Sequence, residues 1–137
     1  MAQDSLDIVR RGYDAFGRGD INGLLALLDE NVQWTTPGPA DLPIAGRRTG
    51  RQAVGEFFQR LTSLLDVQKF EPKEFIVQGD KVVVLGEDVS RVKATGKAIE
   101  TCWAHVFTVE NGRITAFHEY SDVSAVVTEL RTAQARL

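Results

Sequence analysis

Apolar residues recur at two different spacings along the chain, and the change between them divides it in two. Leu6, Val9, Tyr13 and Phe16 follow one another at three- and four-residue steps, one face of an amphipathic helix. Asp4 or Ser5 can cap its start, and Gly19 stands where such a helix would stop. Asp20 then caps a shorter predicted helix that carries Ile21, Leu24, Leu25 and Leu28. Asn31 to Thr35 reads as a short strand. The segment TPGPADLPIAG holds Pro37, Pro39 and Pro43 and is predicted as a loop, since proline at that density blocks helix and ladder alike. Thr49 or Gly50 precedes a third helix, whose stripe is Val54, Phe57, Phe58, Leu61, Leu64 and Leu65.

From Val67 onward the period falls to two, the spacing of half-buried strands. Strands are predicted over Phe70–Gln78, Lys81–Lys93, Ala98–Val109 and Arg113–Tyr120. The turns between them are Gly79-Asp80, Ala94 to Lys97, and a hairpin of three or four residues around Glu110-Asn111-Gly112, whose Asn-Gly pair favours tight reversal. Asp122 can cap a last helix with Val123, Val126, Val127 and Leu130 inward. Helices followed by antiparallel hairpins make an α+β domain: a curved sheet with helices over one face and a cone-shaped pocket between them. Such a pocket takes a small apolar ligand. The other sheet face keeps apolar residues that a second subunit could cover.

Composition narrows the function classes. The 137 residues fit one domain, 1–137, large enough to bury roughly two thirds of its unfolded surface. Apolar residues are 43% and charged residues 26%, ordinary for a folded domain. No run approaches the ~20 apolar residues of a membrane span, and the first residues lack the pattern of a secretory signal. A net charge of -3 with no aromatic-basic stripe argues against nucleic-acid binding. The single cysteine, Cys102, excludes an internal disulfide and predicts a reducing, cytoplasmic setting.

The stretches IVRRGYDAFGRGDINGLLALLDENVQW, GRQAVGEFF and HVFTVENGRITAFHEYSD, in that order around a Pro/Gly loop, resemble the SnoaL-like group of the nuclear transport factor 2-like superfamily. Ketosteroid isomerases and limonene epoxide hydrolases belong to the same superfamily. The resemblance runs from Ser5 to Leu130. It implies a cone of curved antiparallel sheet wrapped around N-terminal helices, usually dimeric through the outer sheet face. The same fold hosts enzymes, ligand-binding modules and dimerisation domains.

Candidate chemistry falls on the last two strands. Alternation puts Thr101, Trp103, His105 and Phe107 on one face, and Phe117, Glu119 and Ser121 on one face of the next strand. Counting outward from the hairpin pairs His105 with Glu119 to within a residue or two. An imidazole beside a carboxylate in an apolar pocket can move protons near neutral pH, because burial and the neighbouring charge pull its pKa in opposite directions. In SnoaL-like polyketide cyclases a histidine and an acid fourteen residues on form the catalytic pair. The resemblance assigns those roles here to His105 and Glu119, with glutamate in place of the usual aspartate; His105 is the expected acid/base, and Glu119 orients it or is itself the base. The competing reading is a buried His–Glu hydrogen bond that only fixes the sheet.

Ketosteroid isomerase fits less well. Its base would fall near Trp34 to Pro37, where QWTTP offers no acid. Its tyrosine would fall at Gly12, one residue before Tyr13, and its oxyanion-hole aspartate would fall at His105. The epoxide hydrolases use an arginine between two aspartates, and Arg91 with Asp88 completes no such set. Tyr13, Trp34, Phe57, Phe58 and Trp103 are the candidate pocket walls. Glu87 faces either the pocket or a partner, and His118 and Cys102 alternate away from Glu119 and His105 respectively. Arg47, Arg48 and Arg51 form a basic cluster at the entrance to the third helix. No zinc spacing, phosphate loop, nucleophile elbow or dinucleotide fingerprint occurs, so no metal or cofactor is implied. The expected activity is acid/base chemistry, isomerisation or aldol-type cyclisation, on a small apolar carbonyl compound. A non-catalytic module with the same cavity is the alternative.

Overall fold

The computed structural model describes residues 2–135. Helix α1 (Ala2–Gly17) ends at Gly19, whose φ of +72° is a left-handed conformation that glycine adopts without strain. Helix α2 (Ile21–Ala26) begins at Asp20, whose carboxylate accepts the Gly23 N–H at 2.9 Å. Leu28 opens strand β1 (Leu28–Thr36) instead of continuing the α2 stripe. It is fully buried there, so the apolar residue is kept while the backbone changes. Strand β2 (Gly46–Thr49) lies inside the stretch expected to be loop and helix entrance. Helix α3 (Arg51–Leu64) follows it, and Leu65 starts strand β3 (Leu65–Gln78) instead of ending the helix. Strands β4 (Lys81–Val92), β5 (Ala98–Glu110) and β6 (Arg113–Ser121) match their predicted places to within a residue or two. Helix α4 (Ser124–Ala135) starts where the Asp122 carboxylate accepts the Ser124 N–H at 2.9 Å.

The six strands form one sheet in the order β2-β1-β6-β5-β4-β3. Strands β3 to β6 are antiparallel neighbours in sequence order, whereas β1 lies parallel to β6. That parallel pair joins the two halves of the chain and could not be read from hairpin spacing. Two register shifts between β3 and β4 add twist to the long outer strands. Pro72 is tolerated because β3 is an edge strand. Helices α1 and α3 pack on the concave face, and Val9, Val32, Val54, Val84 and Ile114 are fully buried between the layers.

The β5–β6 hairpin turns on Asn111 and Gly112, both at positive φ, with Glu110 opposite Arg113. This is the two-residue turn favoured by the twist of paired strands. Below the turn Val109 faces Ile114, but Thr108 faces Ala116. Thr115 is the extra residue of a bulge, and its hydroxyl donates to Thr108 O (3.3 Å) and Glu110 Oε1 (2.8 Å). From there on the register places His105 opposite Glu119.

The convex face carries the odd-numbered residues of β4. Glu87 lies there, against Lys73 at 3.0 Å and Lys69 at 3.6 Å, and so points away from the cavity. Leu85, Ala104 and Tyr120 line up across three strands on this face, with Leu85 and Tyr120 exposed. His118 stacks on Tyr120 with ring centres 4.1 Å apart.

Candidate functional site

A cavity of about 90 Å³ lies between α1, α3 and the concave sheet face. Tyr13 and Phe16 reach it from α1 because they stand three residues apart, on one helix face. Phe57 and Phe58 enter from α3, and Trp34 from β1, where it stacks on Phe117 with centres 4.0 Å apart. His105 and Glu119 complete the wall from β5 and β6. The lining is almost wholly aromatic and aliphatic, and Glu119 is its carboxylate. A larger groove of about 340 Å³ lies between α4 and the loop before β2. Its Asp41–Arg131 ion pair is solvent-exposed.

Four side chains form a linear hydrogen-bonded chain. The Tyr13 hydroxyl is 2.7 Å from His105 Nδ1. His105 Nε2 is 3.2 Å from Glu119 Oε1, and the Ser121 hydroxyl donates to Glu119 Oε2 at 2.8 Å. Burial holds the His105 imidazole below its ordinary range, against the pull of the Glu119 charge. Burial also pushes the Glu119 carboxyl up, but the His105 and Ser121 bonds outweigh it and the net shift is down. These directions favour a neutral histidine beside an ionised glutamate, and the proton pattern follows from that arrangement. His105 Nε2–H donates to Glu119, and Nδ1 accepts the Tyr13 proton. Burial, with the Glu119 charge, raises the Tyr13 pKa well above the usual phenol range, so its hydroxyl stays a donor.

Both histidine nitrogens are therefore occupied, and the carboxylate is the acceptor left facing the cavity. The Glu119 side chain is 26% exposed against 6% for His105. Trp103 does not line the cavity. It lies face-on behind His105, with centres 3.8 Å apart and planes 9° apart. That position depends on Gly86, directly opposite on β4, where an added Cβ would lie 2.3 Å from the indole ring. The tryptophan thus holds the imidazole plane from behind, a role that alternation alone cannot distinguish from a pocket wall.

The basic cluster has local work. Arg48 lies over the Phe57 ring at 5.0 Å and donates to Pro43 O, and Arg51 donates to Leu28 O. Cys102 is exposed on the convex side, opposite Glu87. Among the described residues no group of three His, Cys, Asp or Glu side chains could hold a metal ion, and no helix is long and apolar enough to cross a membrane.

Sequence reading passed over Asp88. It lies on the concave face of β4 and, with Glu119, lines an adjoining cavity of about 110 Å³. The signal was parity: Asp88 alternates with Gly86 and Ser90, inward, while Glu87 alternates outward.

Comparison with known proteins places the chain. An NTF2-like protein from Burkholderia xenovorans is 34% identical, with 93% of this chain and 96% of that one covered and a TM-score of 0.84. An NTF2-like protein of unknown function from Burkholderia pseudomallei is 30% identical over 91% and 95%, with a TM-score of 0.85. TerC, crystallised with polyporic acid, is 26% identical over 91% and 96%, with a TM-score of 0.83. No curated protein matches the chain at a significant level. The SnoaL-like domain family matches residues 9–117, and with most of its length so matched the chain belongs to that family and carries the NTF2-like fold.

Proposed function

We propose that the protein catalyses proton transfer on a small, largely apolar carbonyl compound bound in the cone, using only groups of its own chain. The observation that carries this reading is the Glu119 carboxylate. It is held between His105 and Ser121, which favour its ionised form, in a cavity that is otherwise largely aromatic and aliphatic. A desolvated carboxylate with fixed orientation is a suitable base for a proton α to a carbonyl. Glu119 takes that proton, the C–H electron pair moves toward the carbonyl oxygen as the enolate forms, and the protonated Glu119 returns the proton to another carbon. Isomerisation is the outcome when the proton returns. Aldol-type cyclisation is the outcome when the enolate carbon meets a second carbonyl. His105 and Tyr13 act through Glu119 as positioning residues, with Trp34, Phe57 and Phe58 shaping the cavity.

TerC, with the same fold and crystallised with polyporic acid, supports a role for this fold in binding an organic molecule. The alternative of a non-catalytic binding module draws on the completeness of the Tyr13–His105–Glu119–Ser121 chain, which satisfies its own members. Exchange of α-protons of 2-tetralone into D2O, followed by NMR, separates the two. Exchange lost in Glu119→Gln supports catalysis, and exchange at the uncatalysed rate in the wild type removes it. A homodimer through the convex row of Leu85, Ala104 and Tyr120 is part of the proposal, as is a cytoplasmic setting.

A further inference from the structure

Asp88 is a partly buried acid that the proposed proton transfer does not use. Its carboxylate accepts the Ser90 hydroxyl at 3.1 Å, a bond an asparagine would make equally well. Among the described residues it has no cationic partner. The Trp103 indole N–H lies close enough to favour the carboxylate but closes no full hydrogen bond. Burial, with the Glu119 charge, pushes the Asp88 carboxyl up to about 6 despite the Ser90 bond. An acid held in this way costs stability without visible structural return, the pattern of a group kept for a ligand.

The space in front of it has the matching shape. The cavity beside Asp88 shares Phe16, Thr36, Phe57, Leu61, Phe70 and Glu119 with the one containing His105. These shared walls make the two adjacent lobes around Glu119, and Asp88 lines only the second. Thr101 and Ser90 add hydroxyls beside Asp88, whereas the first lobe is aromatic. A ligand lying along both lobes would have its apolar body among the rings and a polar group at the Asp88 end.

We infer that Asp88 binds a second oxygen of the ligand, so that the substrate class is an elongated carbonyl compound with a hydroxyl or carbonyl at its far end. The assignment of the reacting carbonyl to the Glu119 end rests on the proposed function; the oxygen site at Asp88 does not. Protonated, Asp88 donates to a carbonyl or hydroxyl oxygen. Ionised, it accepts from a hydroxyl.

Two probes test the site, 2-tetralone and 6-hydroxy-2-tetralone, which differ only in the far hydroxyl. Binding to the full chain is read by calorimetry at neutral pH. The wild type is expected to bind the hydroxylated probe about tenfold more tightly, the scale of one hydrogen bond to an ionisable group. Asp88→Ala should bring the ratio to about one, and Asp88→Asn, which keeps the Ser90 bond and a neutral partner, to an intermediate value. A wild type without preference overturns the inference, as does a preference untouched in whichever of the two variants folds. The D2O exchange assay reports on Glu119 separately. A protein that exchanges no α-protons yet shows the Asp88-dependent preference loses the proposed reaction and keeps the second oxygen site.

Discussion

Tyr13 and His105 stand 92 positions apart in the sequence, and their hydroxyl and Nδ1 atoms are 2.7 Å apart. One helix is thereby tied to the middle of the sheet through a polar bond inside an aromatic cluster. The bond takes up Nδ1 and leaves Nε2 for Glu119.

Tyr13→Phe should therefore do two things. It leaves a buried nitrogen without a partner, a loss of about 1–3 kcal/mol in urea denaturation. It also takes the hydrogen-bond donor from Nδ1 while Glu119 keeps the proton on Nε2, a change visible in the Nδ1 shift of His105 by NMR. Unchanged shifts would contradict the proton pattern assigned to this chain.

Glu119→Gln keeps the shape and one acceptor but removes the base. Exchange catalysis should fall by about 10²- to 10⁴-fold, the range general bases supply, while thermal stability changes little. A variant that exchanges protons at the wild-type rate would remove Glu119 from the reaction.

Gly86 is flush beneath the Trp103 ring, where a Cβ would lie 2.3 Å from it and 2.5 Å from Glu71 O. Gly86→Ala should cost about 1–3 kcal/mol through overpacking. Because the ring also backs His105, catalysis should fall with it, and tryptophan fluorescence should shift. A variant as stable and as active as wild type would show that the indole moves aside freely.

Asp88 gives stability a pH dependence of definite sign. Its folded-state pKa, about 6, exceeds the ordinary aspartate value of 3.8, so the folded state binds the proton more tightly. The stabilisation is present at low pH and is lost as pH rises through about 6. Asp88→Asn lacks this loss. It should be more stable than wild type at pH 8, by about 1 kcal/mol after allowing for solvent screening, with the advantage disappearing near pH 4. Thermal melts at the two pH values check it, and an advantage larger at pH 4 would reverse the argument.

Leu85→Glu places a charge in the convex row without touching the cavity. If this face joins two copies, the variant should run as a monomer in light scattering while the wild type runs as a dimer. Wild type measured as a monomer would remove the face from consideration.

Much of this fold was legible from spacing, because helix and strand periods record which side of each element is buried. Val54, Phe57 and Phe58 marked α3, and Asn111-Gly112 marked the hairpin. The errors fell where one apolar residue suits either neighbour, as at Leu28 and Leu65. Strand β2 was hidden because its four residues, Gly46 to Thr49, are polar and pair only at an edge. At the site, parity put His105 and Glu119 on the same side, but it gave no sign that Tyr13 would reach Nδ1, since helix-to-sheet distances are set by packing. Trp103 looked like a wall because its partner, Gly86, declares itself only through what fits above it. Asp88 was weighed against an arginine motif and passed over, although its inward parity was available.

The bulge at Thr115 has a consequence for how this site can change over time. Were Thr115 paired in the ladder instead of bulged, His118 would stand opposite His105 and Glu119 would point to the convex face. Deleting Thr115 would therefore leave His105 facing Glu119, whereas one residue inserted between Thr115 and His118, with the bulge retained, would exchange the acid–imidazole pair for two facing imidazoles. The reactive pair is specified by strand length as much as by residue identity, and relatives that differ by one residue in this hairpin can differ in chemistry while keeping every side chain named here.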